Sequence, residues 1–274
     1  MTLERVTLLV VLAAARAGAQ SHPDISRERA AFSEWLTGAP TSPYAALAHA
    51  ELGRGGLTLG PPDSDIPLEG IGRVRVVLER GALRLESPGS TRSIPRGRDV
   101  PLGRGPYRLR VGGDSQRSML TVYGAHRGAK PAEYYEPSAA AVYVGEIEPP
   151  QSRERRRLLG LDGVEAEATL AGLFALRTGI LVTRLTVYRI PEPGTDESEL
   201  WIYFRDSTNL DATYPAGRFV ALEPLAGGRY RLDFNRARNP FCAYNTVFPC
   251  PAPWPGNAIP ARIEAGERYS GERE

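Results

Sequence analysis

The sequence predicts a mostly β protein: one N-terminal helix, a small β-sandwich, then a second antiparallel β domain ending in a Pro-rich tail. Three observations carry this. From Leu57 onward, apolar residues alternate with polar ones in short runs, the period of half-buried strands. The 29 glycines and 24 prolines fall between those runs, where turns are needed. Apolar residues at helical spacing occur once, near the start of the chain. With 274 residues and 42% hydrophobic content, the chain can bury a sizeable core. A net charge of +2 gives no overall attraction for nucleic acid.

The first nineteen residues read as an export signal. Arg5 precedes the apolar run Val6 to Ala15, and Ala17-Gly18-Ala19 supplies small residues at a cleavage point. The expectation is an exported protein, periplasmic or extracellular, whose mature chain begins at Gln20. The run is too short to span a bilayer, and no other run approaches that length, so no stable membrane span is expected. Residues 20–56 hold the helix and a linker: Ile25, Arg29, Phe32, Trp35 and Leu36 have helical spacing, Ser26 is a candidate cap, and Pro40 and Pro43 end the run. Its aromatic face is expected to dock on the chain downstream of it.

Residues 57–127 form the first β unit, with Val74, Val76 and Leu78, then Leu83 and Leu85, then Tyr107, Leu109 and Val111 alternating inward. Residues 128–141 are a linker. The second unit, 142–274, has runs at Val142 to Ile147, Glu165 to Leu170, Gly172 to Leu176 and Ile180 to Ile190, with a hairpin about Thr178-Gly179. Further runs follow at Trp201 to Phe204, Arg218 to Leu222 and Arg229 to Phe234, the last hairpin turning on Gly227-Gly228. Arg153-Glu154-Arg155-Arg156-Arg157 is basic, but it lacks interleaved aromatics and reads as a solvated loop rather than a nucleic-acid surface.

Polar residues gather at the ends of the later strands: Arg205, Asp206, Thr208 and Asn209 after one, Tyr214 and Arg218 before the next, then Asp233, Asn235, Asn239 and Tyr244. An Arg fork holds a carboxylate or phosphate, while Asp and Asn orient polar groups. The cluster is expected either to bind a small anionic or polar ligand or to satisfy structural corners. No Ser-His-Asp setting exists for His22, His49 or His126, and no nucleotide fingerprint or zinc spacing appears. No reaction, cofactor or metal is therefore read from the sequence. Cys242 and Cys250 are the only cysteines, eight positions apart. They form either a disulfide, favoured by an oxidising compartment, or two free thiols.

This ordered stretch resembles the bacterial and archaeal domain-of-unknown-function family 1684. The resemblance rests on Phe204 to Asn209, Thr213-Tyr214, Gly217-Arg218, Leu232 to Ala237, Asn239 to Asn245, Cys250-Pro251 and Ala265 to Glu267. Leu210, Arg238 and Phe241 depart from the pattern, which has Gly, an aromatic and Pro at those places. The family implies architecture and a site location, not a reaction. Leu59-Gly60 followed by Ser64 to Leu68 resembles the opening of a forkhead-associated β-sandwich, but its phosphothreonine-reading residues are missing. The resulting expectation is an exported ligand-binding β module using the Arg/Asp/Asn/Tyr cluster. The alternatives are a secreted or envelope hydrolase using the same residues, or an interaction protein whose aromatic tail around Phe248 and Trp254 meets a partner.

Overall fold

A computed structural model describes residues 21–114, 116–191 and 197–271. The stretch read as an export signal, with its expected cleavage point, lies outside the described residues. Helix α1 covers Ser21–Gly38, so Ser26 lies within it rather than capping it. Ile25 and Leu36 are buried. Phe32 stacks on Trp35, and these rings meet Tyr244 and Phe241 at 6.4 and 5.9 Å respectively. Arg29 donates to the carbonyls of Tyr135 and Asn235 at 2.7 and 2.9 Å. The aromatic face is thus docked on the C-terminal half.

The first unit holds nine strands: β1 Ala46–Glu51, β2 Leu57–Gly60, β3 Ile66–Pro67, β4 Val74–Glu79, β5 Ala82–Ser87, β6 Ser90–Ser93, β7 Val100–Pro101, β8 Arg108–Gly113 and β9 Ser118–Tyr123. They form a four-stranded sheet, β1-β9-β8-β7, and a five-stranded sheet, β3-β2-β4-β5-β6. Leu59, Val76, Leu83 and Leu85 of one sheet share a buried core with Leu109, Val111, Leu120 and Val122 of the other. β1 lies in the stretch expected to be linker. Its Ala-rich sequence has weak strand propensity, and pairing with β9 makes it a strand.

The second unit holds β10 Val142–Glu148, β11 Arg155–Leu159, β12 Glu165–Thr178, β13 Leu181–Pro191, β14 Ser198–Asp206, β15 Arg218–Pro224, β16 Arg229–Asp233 and β17 Ala258–Ile259. The order β10-β16-β15-β14-β13-β12 closes on itself because β10 also pairs with β12, giving a six-stranded barrel with no open edge along that path. Phe174, Leu185, Ile202, Phe204, Val220, Leu232 and Phe234 fill it. The two runs expected around Gly172 are one strand, bulged between Leu170 and Gly172. Gly172 has φ +141°, and a Cβ there would run into the Glu148 carbonyl at the closure, so the barrel needs glycine at that point.

Two expectations change. The basic run at 155–157 is β11, paired along the outer part of β12, rather than a solvated loop. Acidic partners make this tolerable: Arg155 pairs with Glu167 at 3.1 Å, and Arg157 with Asp114 at 2.9 Å. The Pro-rich stretch is not a free tail either. Trp254 is buried against Tyr188, Tyr203 and Phe219. Asn257 donates to the carbonyls of Thr186 and Tyr203 at 3.0 and 2.9 Å, and β17 pairs in parallel with β14. Ile259, Ile263 and Ala265 then enter the barrel core.

Cys242 and Cys250 are joined as a disulfide with Cα atoms 5.5 Å apart. The loop it closes ties the two units together. Asn245 donates to the carbonyls of Pro43 and Ala46 at 2.9 and 2.8 Å, and Phe248 packs with Ala45, Ala46 and Tyr123. Among the described residues no helix is long and apolar enough to cross a membrane.

Candidate functional site

The ten polar residues singled out in the sequence do not surround one cavity. Nine enter buried or half-buried contacts within the protein, and Arg205 has an exposed side chain outside them. The first network joins the end of β14 to the start of β15. Asp206 caps the short 3-10 turn Ser207–Leu210, and Asn209 completes a capping box. The Asp206 carboxylate also accepts from the Thr208 hydroxyl at 2.9 Å, the Ile263 amide at 2.7 Å and Arg218 Nη2 at 3.2 Å. Arg218 further donates to the carbonyls of Ile263, Ala265 and Glu267. Both side chains of this ion pair are fully enclosed. Burial pulls the Arg218 guanidinium below its ordinary value, and the Asp206 charge opposes that pull. These groups are occupied by the chain's own C-terminal segment.

The second network caps another 3-10 turn, Phe234–Arg236. Asp233 accepts from the Asn235 amide at 3.0 Å and its side chain at 2.8 Å, while Asn235 exchanges two 2.9 Å hydrogen bonds with Ser138. It therefore fixes the linker to the barrel. The third network is built on Glu267, which receives the Asn239 amide at 2.9 Å and the Tyr244 hydroxyl. Burial pushes the Glu267 carboxyl up to about 7, against the lowering effect of those hydrogen bonds. Tyr214 donates to the sulfurs of Cys242 and Cys250 at 3.4 and 3.2 Å. Of the two uses expected from sequence, these contacts are structural ones: the residues cap turns and hold the C-terminal segment, the first and third networks being joined through Glu267.

A cavity lies elsewhere. A cleft of about 830 Å³ opens where the four-stranded sheet meets the barrel, and none of the ten residues lines it. Its walls include Arg110, Thr121 and Tyr123 from the four-stranded sheet, Asp162 from the turn before β12, Trp201 from β14, and Arg238 and Phe241 from the C-terminal segment. Arg110 gives its Nε to Asp99 at 2.7 Å, and its two terminal nitrogens have no acceptor among the described residues. The Arg238 guanidinium lies 4.6 Å from the Phe32 ring centre and likewise has no hydrogen-bond acceptor there. Arg110, with unused terminal N–H groups, and Arg238 thus both line one cleft, beside the half-buried indole of Trp201.

Burial raises the Asp162 carboxyl, with His49 and Arg110 nearby opposing the rise, and raises the Tyr123 hydroxyl to about 12. The Asp162 carboxylate accepts from the Val164 amide at 3.1 Å. His49 fixes the seam beside Asp162. One ring nitrogen faces the Gly163 carbonyl at 3.0 Å and the other the Thr121 hydroxyl at 2.9 Å. The carbonyl assigns the proton to Nε2, leaving Nδ1 to accept from Thr121. Burial lowers the His49 value, favouring the neutral ring.

Sequence reasoning missed Arg110, Asp162, Trp201 and Arg238 as a set because they come from both β units. One signal was available: Arg238 and Phe241, two departures from the family pattern, both line this cleft. Among the described residues no three His, Cys, Asp or Glu side chains are grouped to hold a metal ion.

A family model described as a protein of unknown function, DUF1684, matches residues 130–268. A solution NMR structure of an uncharacterized protein from Haloarcula marismortui is similar over 53% of this chain and 79% of its own, with 29% identity and a TM-score of 0.45. No curated protein matches the chain.

Proposed function

Because the chain belongs to the DUF1684 family, whose description assigns no activity, we propose its function from its own geometry: a ligand-binding β module whose site is the seam cleft. The observation that carries this reading is one 830 Å³ cleft lined by two arginines, Arg110 with terminal N–H groups that have no acceptor among the described residues, and by an indole wall. That volume falls in the range of small-molecule sites. The ligand is small and carries an anionic group for Arg110 and Arg238 and a flat apolar face for Trp201. Asp162 and Tyr123 face its polar atoms. The first unit is read as forkhead-associated-like in its two-sheet form only.

Calorimetric titration with benzoate, a carboxylate on a ring, and with inorganic phosphate tests this. Benzoate is expected to bind the wild type. Arg110→Ala and Arg238→Ala are each expected to weaken it by about 10- to 100-fold, the worth of one hydrogen bond to a charged group. Binding that survives both substitutions unchanged, or no binding of either probe, would sink the reading. A hydrolytic function is favoured by one feature, the raised Asp162 carboxyl, which suits a general acid. In that case Asp162→Asn keeps ligand affinity and abolishes turnover.

We also infer that the chain is exported. The N-terminal pattern supports this, as does a disulfide that an oxidising compartment would preserve. The exported product is expected to begin at Gln20 by intact mass and to titrate no free thiol when denatured without reductant. Replacing both Cys242 and Cys250 with Ser is expected to lower stability by about 2–3 kcal/mol in urea, the loop-closure contribution of so short a ring.

A further inference from the structure

The β12–β13 hairpin ends in a feature that neither the barrel core nor the cleft uses. β10 reaches β12 only at Leu173 and Phe174, and β14 reaches β13 only from Tyr188 to Pro191. Beyond Leu176 and Leu185, which are buried in the barrel core, the two strands pair only with each other, so the tip of the hairpin stands out as a short arm. Its tip reads Arg177-Thr178-Gly179-Ile180-Leu181-Val182-Thr183-Arg184. Ile180 is 96% exposed, Leu181 43% and Val182 45%. Three consecutive exposed aliphatic residues depart from the in-out alternation of the rest of the strand.

We propose that this tip docks end-on into an anionic lipid surface. Two observations favour lipid over a protein partner. In the register, Leu181 faces Thr178 and Val182 faces Arg177, so neighbouring side chains project to opposite faces of the arm. A flat protein surface could cover one face but not both, and a stable protein interface needs roughly 800 Å² from each partner, more than three side chains offer. Lipid closes around a wedge from every side. The second observation is charge. The tip carries Arg177 and Arg184 and no acidic residue. Arg177 has no ion pair among the described residues, and Arg184 has only an exposed contact with Glu148 at 3.5 Å, which contributes little. Arginines flanking an apolar tip can bury their stems while their heads meet lipid phosphates.

The arm lies apart from the cleft, so a test of one leaves the other untouched. Co-sedimentation of the protein with vesicles of phosphatidylcholine and phosphatidylglycerol (7:3) is compared with pure phosphatidylcholine vesicles. Binding is expected to the anionic vesicles, weakening as salt rises. Ile180→Ser/Leu181→Ser/Val182→Ser and, separately, Arg177→Glu are each expected to reduce it on the order of tenfold. An unchanged urea midpoint shows that the variants remain folded, as the exposure of these positions leads one to expect. The proposal is overturned if wild-type protein ignores anionic vesicles, or if folded variants bind as well as wild type. It is equally overturned if the tip substitutions instead dissolve a dimer seen by analytical ultracentrifugation.

Discussion

Replacing Arg218 with Ala is expected to cost about 3–5 kcal/mol of stability, the usual penalty for breaking a buried ion pair from one side. The loss is read as a fall in the urea midpoint at unchanged slope. Three carbonyls, those of Ile263, Ala265 and Glu267, lose their donor, and the Asp206 carboxylate loses its counter-charge. All of these sit where water cannot replace the guanidinium, since both side chains are fully enclosed. Arg218→Lys is expected to recover little, because an ammonium cannot reproduce a planar fork that meets several acceptors at once. A cycle with Asp206→Asn should show strong coupling, the double variant costing well below the sum of the singles. A folded Arg218→Ala protein of undiminished stability that lost a ligand would return this residue to the role its position at a strand end first implied.

The second large effect is a pH dependence centred on Glu267. Its folded value is pushed up from 4.5 to about 7 by burial, so the folded state holds the proton more tightly than the unfolded chain does. The contribution is therefore fully present below about pH 4.5, declines as pH rises towards 7, and is gone above 7. At about 1.4 kcal/mol per unit, roughly 3 kcal/mol separates the two limits. Burial also shifts Asp162 upwards and His49 downwards, so the comparison is with Glu267→Gln. Subtracting the two stability-pH profiles should leave a decline between pH 4.5 and 7 that belongs to wild type alone. Parallel profiles would show that Glu267 titrates as an ordinary carboxyl.

Strands built from alternating Val, Leu and Phe were legible in the sequence because both faces of the pleat are encoded locally, as in β4 and β5. The docking of α1 was legible for the same reason: Phe32 and Trp35 share one helical face. β1 and β11 were not, since Ala-rich and Arg-rich runs become strands only through their partners, Met119 to Tyr123 far along the chain for the first and the adjacent Glu165 to Thr169, which brings acidic residues to the arginines, for the second. The polar cluster was visible as residue types at strand ends, yet its use was not. A cap for a turn and a contact for a ligand draw on the same Asp, Asn and Arg. Only the positions of Ile263 and Ala265 reveal that the acceptors of Arg218 are internal. The cleft was hidden because Arg110 and Arg238 are brought together by the seam between units, which no local pattern describes.

The lacing of Arg218 to residues 263–267 has a consequence for synthesis. The barrel lacks both the acceptors of its buried guanidinium and the side chains of Ile263 and Ala265 until that stretch has left the ribosome. At translation rates of about 5–20 residues per second, the interval from Arg218 to Glu267 lasts roughly 2–10 seconds. Throughout it the nascent chain has an unfilled core and an unmatched charge, so it remains open. A polypeptide held open until residue 267 has been made can still be threaded through a translocation pore.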